Sequence, residues 1–243
     1  MKRIDVHTHL GNWMFPIRDF EVAGFRRTMQ QHRIEKSVIS YGPAILYDFR
    51  EGNRQLAAIL QDAPELWGYV VLNPHYLEES LAEIEKYLPD PKFVGFKLHP
   101  EQNQYRLNGL NVYKLFERIT LTKKPVLVHT FPEQTNDLLG VAKFFPSVPI
   151  IMGHMGGNRW WEGIAVAAQT ENVYLEPCSS FPEADKVRAA VEAVGPGRVL
   201  FGSDSNLLNP GFTIGMIEEA NLADGIKEQI FYQNAKLLFN FPA

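Results

Sequence analysis

The chain has 243 residues, of which 45% are apolar and 21% charged, with a formal net charge of −4 and a pI near 6.0. Such a composition builds a substantial globular core, and it lacks the concentrated basic surface that nucleic acid or an anionic membrane would need as partner. The single cysteine, Cys178, excludes an internal disulfide framework; it reads as core filler in a reducing compartment, and with no apolar signal region or bilayer-length stretch the expected location is cytoplasmic.

Short β-rich runs alternate with helical patterns from end to end. RIDVHTHL from Arg3 opens as a strand, and DFEVAGFRRTMQQHRI follows with Val22, Phe25 and Met29 on one helical stripe. KSVISYG from Lys36 precedes the amphipathic NRQLAAILQDAP, and LWGYVVLNP from Leu66 precedes LEESLAEIEKYL. FVGFKLHP from Phe93, PVLVHT from Pro125 and PIIMGHMGG from Pro149 lead into GLNVYKLFERITL, NDLLGVAKFF and WWEGIAVAAQ. VYLEPCS from Val173 and VLFGSDS from Val199 are the seventh and eighth strands, followed by EADKVRAAVEAV and the terminal IKEQIFYQNAKLLF. Pro64, Pro89, Pro146 and the Gly195-Pro196-Gly197 turn mark helix ends.

Strands apolar on both faces, each followed by a helix, predict an α/β protein with parallel strands. Eight units over this length fit a single (β/α)8 TIM barrel, one domain over residues 1–243. An open doubly wound sheet is the alternative, but no glycine-rich phosphate fingerprint follows the first strand.

Active sites of such barrels lie at the C-terminal ends of the strands. His7 and His9 end the first strand and share a face; Lys97 and His99 do the same on the fourth. His129, His154 and Asp204 end the fifth, sixth and eighth, and Glu176 lies near the end of the seventh. Imidazoles and a carboxylate converging on one mouth need compensation, and three nitrogens with one oxygen suit a divalent cation that keeps a position for water. His7 and His9 are therefore read as adjacent ligands. His32 and His75 receive no role.

The His-x-His of DVHTHLG, the histidines of VLVHT and MGHMGG and the aspartate of LFGSDS together resemble the amidohydrolase superfamily. FKLHP, GHMGG, LFGSD and NAKLLF resemble its amidohydrolase-related branch, which holds aminocarboxymuconate-semialdehyde and aromatic-acid decarboxylases as well as hydrolases and lactonases. The resemblance implies one divalent metal, zinc or manganese, held by His7, His9, His129 and Asp204, with His154 as a catalytic base or electrophile. It also leaves open a binuclear site bridged by carbamylated Lys97. Otherwise Lys97 is a cation for a substrate carbonyl or carboxylate, or an interior ion-pair partner of Glu176 or Asp204.

The leading expectation is a metal-dependent hydrolase of a small amide, lactone or ester, in which Asp204 takes the proton of a metal-activated water and His154 steadies the oxyanion. The alternative is non-oxidative decarboxylation of an aromatic or muconate-type acid, and a metal-free binding barrel is a third reading. The substrate is expected to be a small anion. His99, Arg159 and Trp160 are its candidate contacts, while Arg18, Arg50 and Arg106 read as solvated charges. Trp13, Met14 and Phe15 could line the mouth, and a homodimer is an open possibility.

Overall fold

The β-branched run Arg3–Leu10 forms β1 and is buried along its whole length, as a strand covered on both faces must be. The computed structural model describes residues 1–179 and 181–241. Six further strands follow: β2 Ile34–Tyr41, β3 Leu66–Val71, β4 Phe93–Leu98, β5 Val126–His129, β6 Ile150–Gly153 and β7 Val173–Leu175. Each pairs in parallel with the next, in the order β1-β2-β3-β4-β5-β6-β7.

The expected eighth strand differs. Residues 199–205 form no ladder; they close the ring through single bridges, Val199 to Leu175 and Ser205 to Thr8. Leu200 N donates to Leu175 O at 2.9 Å and Val6 N donates to Phe201 O at 3.0 Å. A positive φ at Asp204 (61°) takes this seam out of the extended conformation. The departure serves the site, because it turns the Asp204 carboxylate towards β1. Ser203 fixes the bend by donating from Oγ to Asp5 Oδ2 at 2.5 Å.

Helices fill the spaces between strands much as the periodicity predicts, among them Val22–Gln31, Phe49–Gln61, Leu77–Tyr87, Leu110–Thr120, Pro132–Phe144, Trp160–Ala167 and Ala184–Val194. Pro210–Glu218 is a helix that the periodicity does not predict, and the terminal pattern breaks into two short helices around a π-turn at Gln229–Gln233. Inside the ring, Ile4, Val6, Val38, Tyr69, Leu127, Ile151 and Leu200 pack on Phe239 and Phe241. That packing fills the barrel from below and leaves the C-terminal strand ends for polar groups. Among the described residues no helix is long and apolar enough to cross a membrane.

Candidate active site

Two histidines of β1 are held in a defined tautomer by their outer neighbours. His9 Nδ1 lies 2.9 Å from the Ser40 carbonyl, which can only accept, so Nδ1 carries the hydrogen and Nε2 keeps its lone pair. His7 Nδ1 lies 2.8 Å from Glu176 Oε2 with the same consequence. The Glu176 carboxylate also accepts from Cys178 N at 2.6 Å, from Cys178 Sγ at 3.0 Å and from His154 N at 3.4 Å. Burial pushes its pKa up, and His154 and the Cys178 donors oppose the rise.

Both Nε2 atoms face one carboxylate oxygen, and that of His7 also lies 3.2 Å from Lys97 Nζ. Asp204 Oδ1 is 3.1 Å from His9 Nε2 and 3.6 Å from His7 Nε2. Oδ1 is buried and has no hydrogen-bond partner. Two lone pairs and an anionic oxygen facing one another are unfavourable as they stand and suit a divalent cation. The residues present therefore fit the metal that the sequence pattern implies. These three donors all lie within 4.8 Å of one another.

Behind them sits Lys97, with no exposed surface, its Nζ 3.2 Å from His7 Nε2. Burial lowers its pKa to about 8, against the pull of Asp204, Cys178 and Glu176, so it stays largely charged at neutral pH. The ion pair expected with Glu176 or Asp204 is not formed: among the described residues neither carboxylate comes within the 4.0 Å of a salt bridge. Among the described residues Lys97 is a buried cation with no direct ion pair.

His154 and His129 form a second layer. His154 Nδ1 lies 3.2 Å from the Cys178 carbonyl, and its Nε2 is 3.0 Å from His129 Nδ1. His129 Nε2 is 2.7 Å from Glu101 Oε2, and its ring stacks on His99 at 3.9 Å between centroids. Burial, then Lys97, lowers the pKa of His129 to about 3. Burial, then His129, lowers that of His154 to about 4.

His129 thus stands beside the converged trio, not within it, bonded to Glu101 and His154. His99 is placed in the same cluster, with Nδ1 accepting from Gln102 N at 3.3 Å. Arg159 and Trp160 are engaged elsewhere. Arg159 pairs with Glu162 at 3.2 Å, and the Trp160 indole donates to Glu183 at 3.3 Å while packing on the helical core. Trp13 does reach the mouth, 5.2 Å from the His9 ring, whereas Met14 and Phe15 remain exposed.

Cys178 is more than core filler. Its Sγ lies 3.3 Å from His154 Nδ1 and 3.5 Å from His7 Nδ1, and its spacing of two from Glu176 was the available signal. Burial, then Glu176, raises its pKa well above the ordinary thiol value, so it acts as a neutral donor. Glu101 and Asp5 carry no such signal: Glu101 rides on the short turn Pro100–Asn103, and Asp5 precedes the His-x-His pair as an apparent edge residue.

Comparison with curated proteins by sequence gives no match. Solved structures match over nearly the whole chain. A 2,6-dihydroxybenzoate decarboxylase from Rhizobium is 15% identical with a TM-score of 0.80, covering 98% of both chains. A 5-carboxyvanillate decarboxylase from Sphingomonas paucimobilis is 14% identical with a TM-score of 0.81, covering 99% of both. A dihydroxybenzoic acid decarboxylase from Polaromonas sp. JS666, with bound manganese and the inhibitor 2-nitroresorcinol, is 18% identical with a TM-score of 0.80, covering 98% of this chain and 97% of its own. These neighbours establish the barrel fold, and because they are decarboxylases the expectation of a hydrolase gives way to the alternative reading. The expectation of zinc gains no support from them, since the Polaromonas structure holds manganese. The Amidohydrolase family profile matches residues 4–241, and the chain therefore belongs to that family and is an enzyme of the amidohydrolase superfamily.

Proposed function

We propose that this chain is a metal-dependent, non-oxidative decarboxylase of a small aromatic or enolic carboxylic acid. The observation that carries the reading is Lys97, a fully buried lysine that makes no direct ion pair among the described residues, set against the histidine and aspartate cluster. A cation in that position costs several kcal/mol of desolvation unless an anion joins it, so the site calls for an anionic ligand. The named activities of the structural neighbours supply the reaction class.

His7, His9 and Asp204 would hold the cation, with His129 beside them bonded to Glu101 and His154, and manganese is our assignment. When bound, the metal supplies Lewis acidity that anchors a carboxylate or phenolate oxygen. Lys97 pairs with the substrate's negative charge. The carbon–carboxylate bond then breaks, its electron pair stays on the ring or enol carbon, that carbon takes one proton, and carbon dioxide leaves. His154 relays that proton from solvent: the Cys178 carbonyl holds its Nδ1, and Nε2, 3.0 Å from His129 Nδ1, takes the proton up and passes it on. Trp13 and Phe131 shield the mouth from bulk water.

The test is carbon dioxide release from a panel of hydroxybenzoates and conjugated enolic acids by manganese-loaded protein. One carbon dioxide per substrate is expected, with solvent deuterium on the vacated carbon in heavy water. Stoichiometric metal with no carbon dioxide from any acid in the panel would sink the reading.

A further inference from the structure

Seven aromatic rings close into an annulus round the site. Trp13 lies 5.2 Å from His9, His9 5.4 Å from His7, and His7 4.9 Å from His154. The circuit continues from His154 to Phe131 at 5.5 Å, to His129 at 5.0 Å, to His99 at 3.9 Å and back to Trp13 at 6.3 Å. Five of these rings are imidazoles. The other two, Trp13 and Phe131, offer apolar faces and no acid–base chemistry.

Their placement follows from the topology. Trp13 stands on the loop after β1 and Phe131 on the loop after β5. In the ring, β2 to β4 separate them on one side, and β6, β7 and the seam on the other, so they rise from opposite walls. Both are only partly buried. Each is backed by glycine. A Cβ at Gly42 would stand 3.3 Å from Trp13 Cε3, and one at Gly157 would meet Phe131 Cδ1 at 2.7 Å. Gly157 also has φ +68°, a conformation that other residues rarely adopt. Trp13 further packs on the cluster of Ala44, Ile45, Phe49 and Val71. The two walls are thus set firmly, without side-chain bulk behind them.

We propose that Trp13 and Phe131 are specificity-determining residues that select a single planar aromatic ring carrying the carboxylate. This rests on the decarboxylase reading and narrows it, from aromatic or enolic acids to aromatic ones. A flat ring between two aromatic faces gains dispersion and offset-stacking contacts that an acyclic acid of equal charge cannot match. Lys97, beside His7 on the annulus, takes the charge of either acid alike, so the walls decide between them.

The experiment compares two probes on manganese-loaded protein: 5-nitrosalicylate, a planar aromatic acid that absorbs where tryptophan emits, and sorbate, a conjugated acyclic acid. Calorimetry gives their affinities for the wild type and for Trp13→Leu, Phe131→Leu and Trp13→Phe. The expected result is about tenfold weaker 5-nitrosalicylate binding in each Leu variant, from the loss of one stacked face. Sorbate should shift less than about twofold, and Trp13→Phe, which keeps an aromatic face, should retain 5-nitrosalicylate affinity. Unchanged 5-nitrosalicylate affinity in both Leu variants, or an equal loss for sorbate, would overturn the assignment. Should a Leu variant fail to fold, Trp13→Met and Phe131→Met take its place, and unchanged 5-nitrosalicylate affinity in both refutes the assignment. Ring selection without carbon dioxide release would refute the decarboxylase reading alone. Carbon dioxide release with an unaltered KM in the Leu variants would refute the walls alone.

Discussion

Lys97 concentrates the electrostatic argument at a single residue. Its ammonium is buried, its pKa is lowered to about 8, and among the described residues its hydrogen bond runs to an imidazole nitrogen of His7. Lys97→Met keeps the length of the side chain and removes the charge. We expect it to raise the KM of an anionic substrate by about ten- to a hundredfold, the value of a charge-assisted hydrogen bond, while manganese binding is retained. Steady-state kinetics with parallel metal analysis checks this, and an unchanged KM would remove Lys97 from substrate binding. The buried histidines make a second residue-level prediction. In the fold His154 and His129 protonate only near about 4 and about 3, whereas an unfolded histidine titrates at 6.5. Below 6.5 the unfolded chain takes up protons that the fold refuses, so their contribution to stability is complete above that value and declines as pH falls towards 4. The slope is about 1.4 kcal/mol per pH unit for each such group. Urea midpoints of metal-free protein should therefore fall between pH 7.5 and pH 5, and a flat profile would contradict the burial of these rings.

At the scale of elements, the seam at residues 199–205 does the positioning. Its Gly202 lies against Glu176, where a Cβ would come within 2.6 Å of Cγ and Cδ. Gly202→Ala should push Glu176 away from His7 Nδ1 and release the tautomer that presents Nε2. We expect manganese affinity to fall by about 10- to 100-fold, as losing an outer hydrogen bond to a ligating histidine does, with about 1–3 kcal/mol of overpacking cost. Isothermal titration beside a urea curve separates the two, and full-affinity metal binding would show that Glu176 does not set His7. The seam also marks where sequence reasoning ran short. VLFGSDS has the composition of a strand, but the left-handed Asp204 interrupts it, and a backbone dihedral of that kind is not legible in residue types. The π-turn at Gln229–Gln233 interrupts a pattern whose period looked unbroken for the same reason. The helix at Pro210–Glu218 was missed because its apolar residues do not gather on one face.

For the whole molecule, the order of elements was legible because both faces of every strand are buried, and that leaves a strong apolar signal at each turn of the barrel. The site was partly legible for the same reason. Strand ends point to one mouth, so His7, His9 and Asp204 could be brought together from positions nearly two hundred residues apart. What the pattern could not give is the pairing among neighbours at that mouth. Arg159 finds Glu162 one helical turn away instead of a ligand, His129 finds Glu101, and Cys178 joins Glu176, each through side-chain directions that only the folded chain fixes. The reaction class was likewise beyond the residues themselves, since one donor set serves both water attack and decarboxylation. The account depends on one cation shared by three donors of β1 and the seam. Anomalous diffraction at the manganese edge from a crystal of the loaded protein measures this directly. A single peak in contact with His7 Nε2, His9 Nε2 and Asp204 Oδ1 is the result the account predicts. A peak elsewhere, or none at that mouth in stoichiometrically loaded protein, would contradict it.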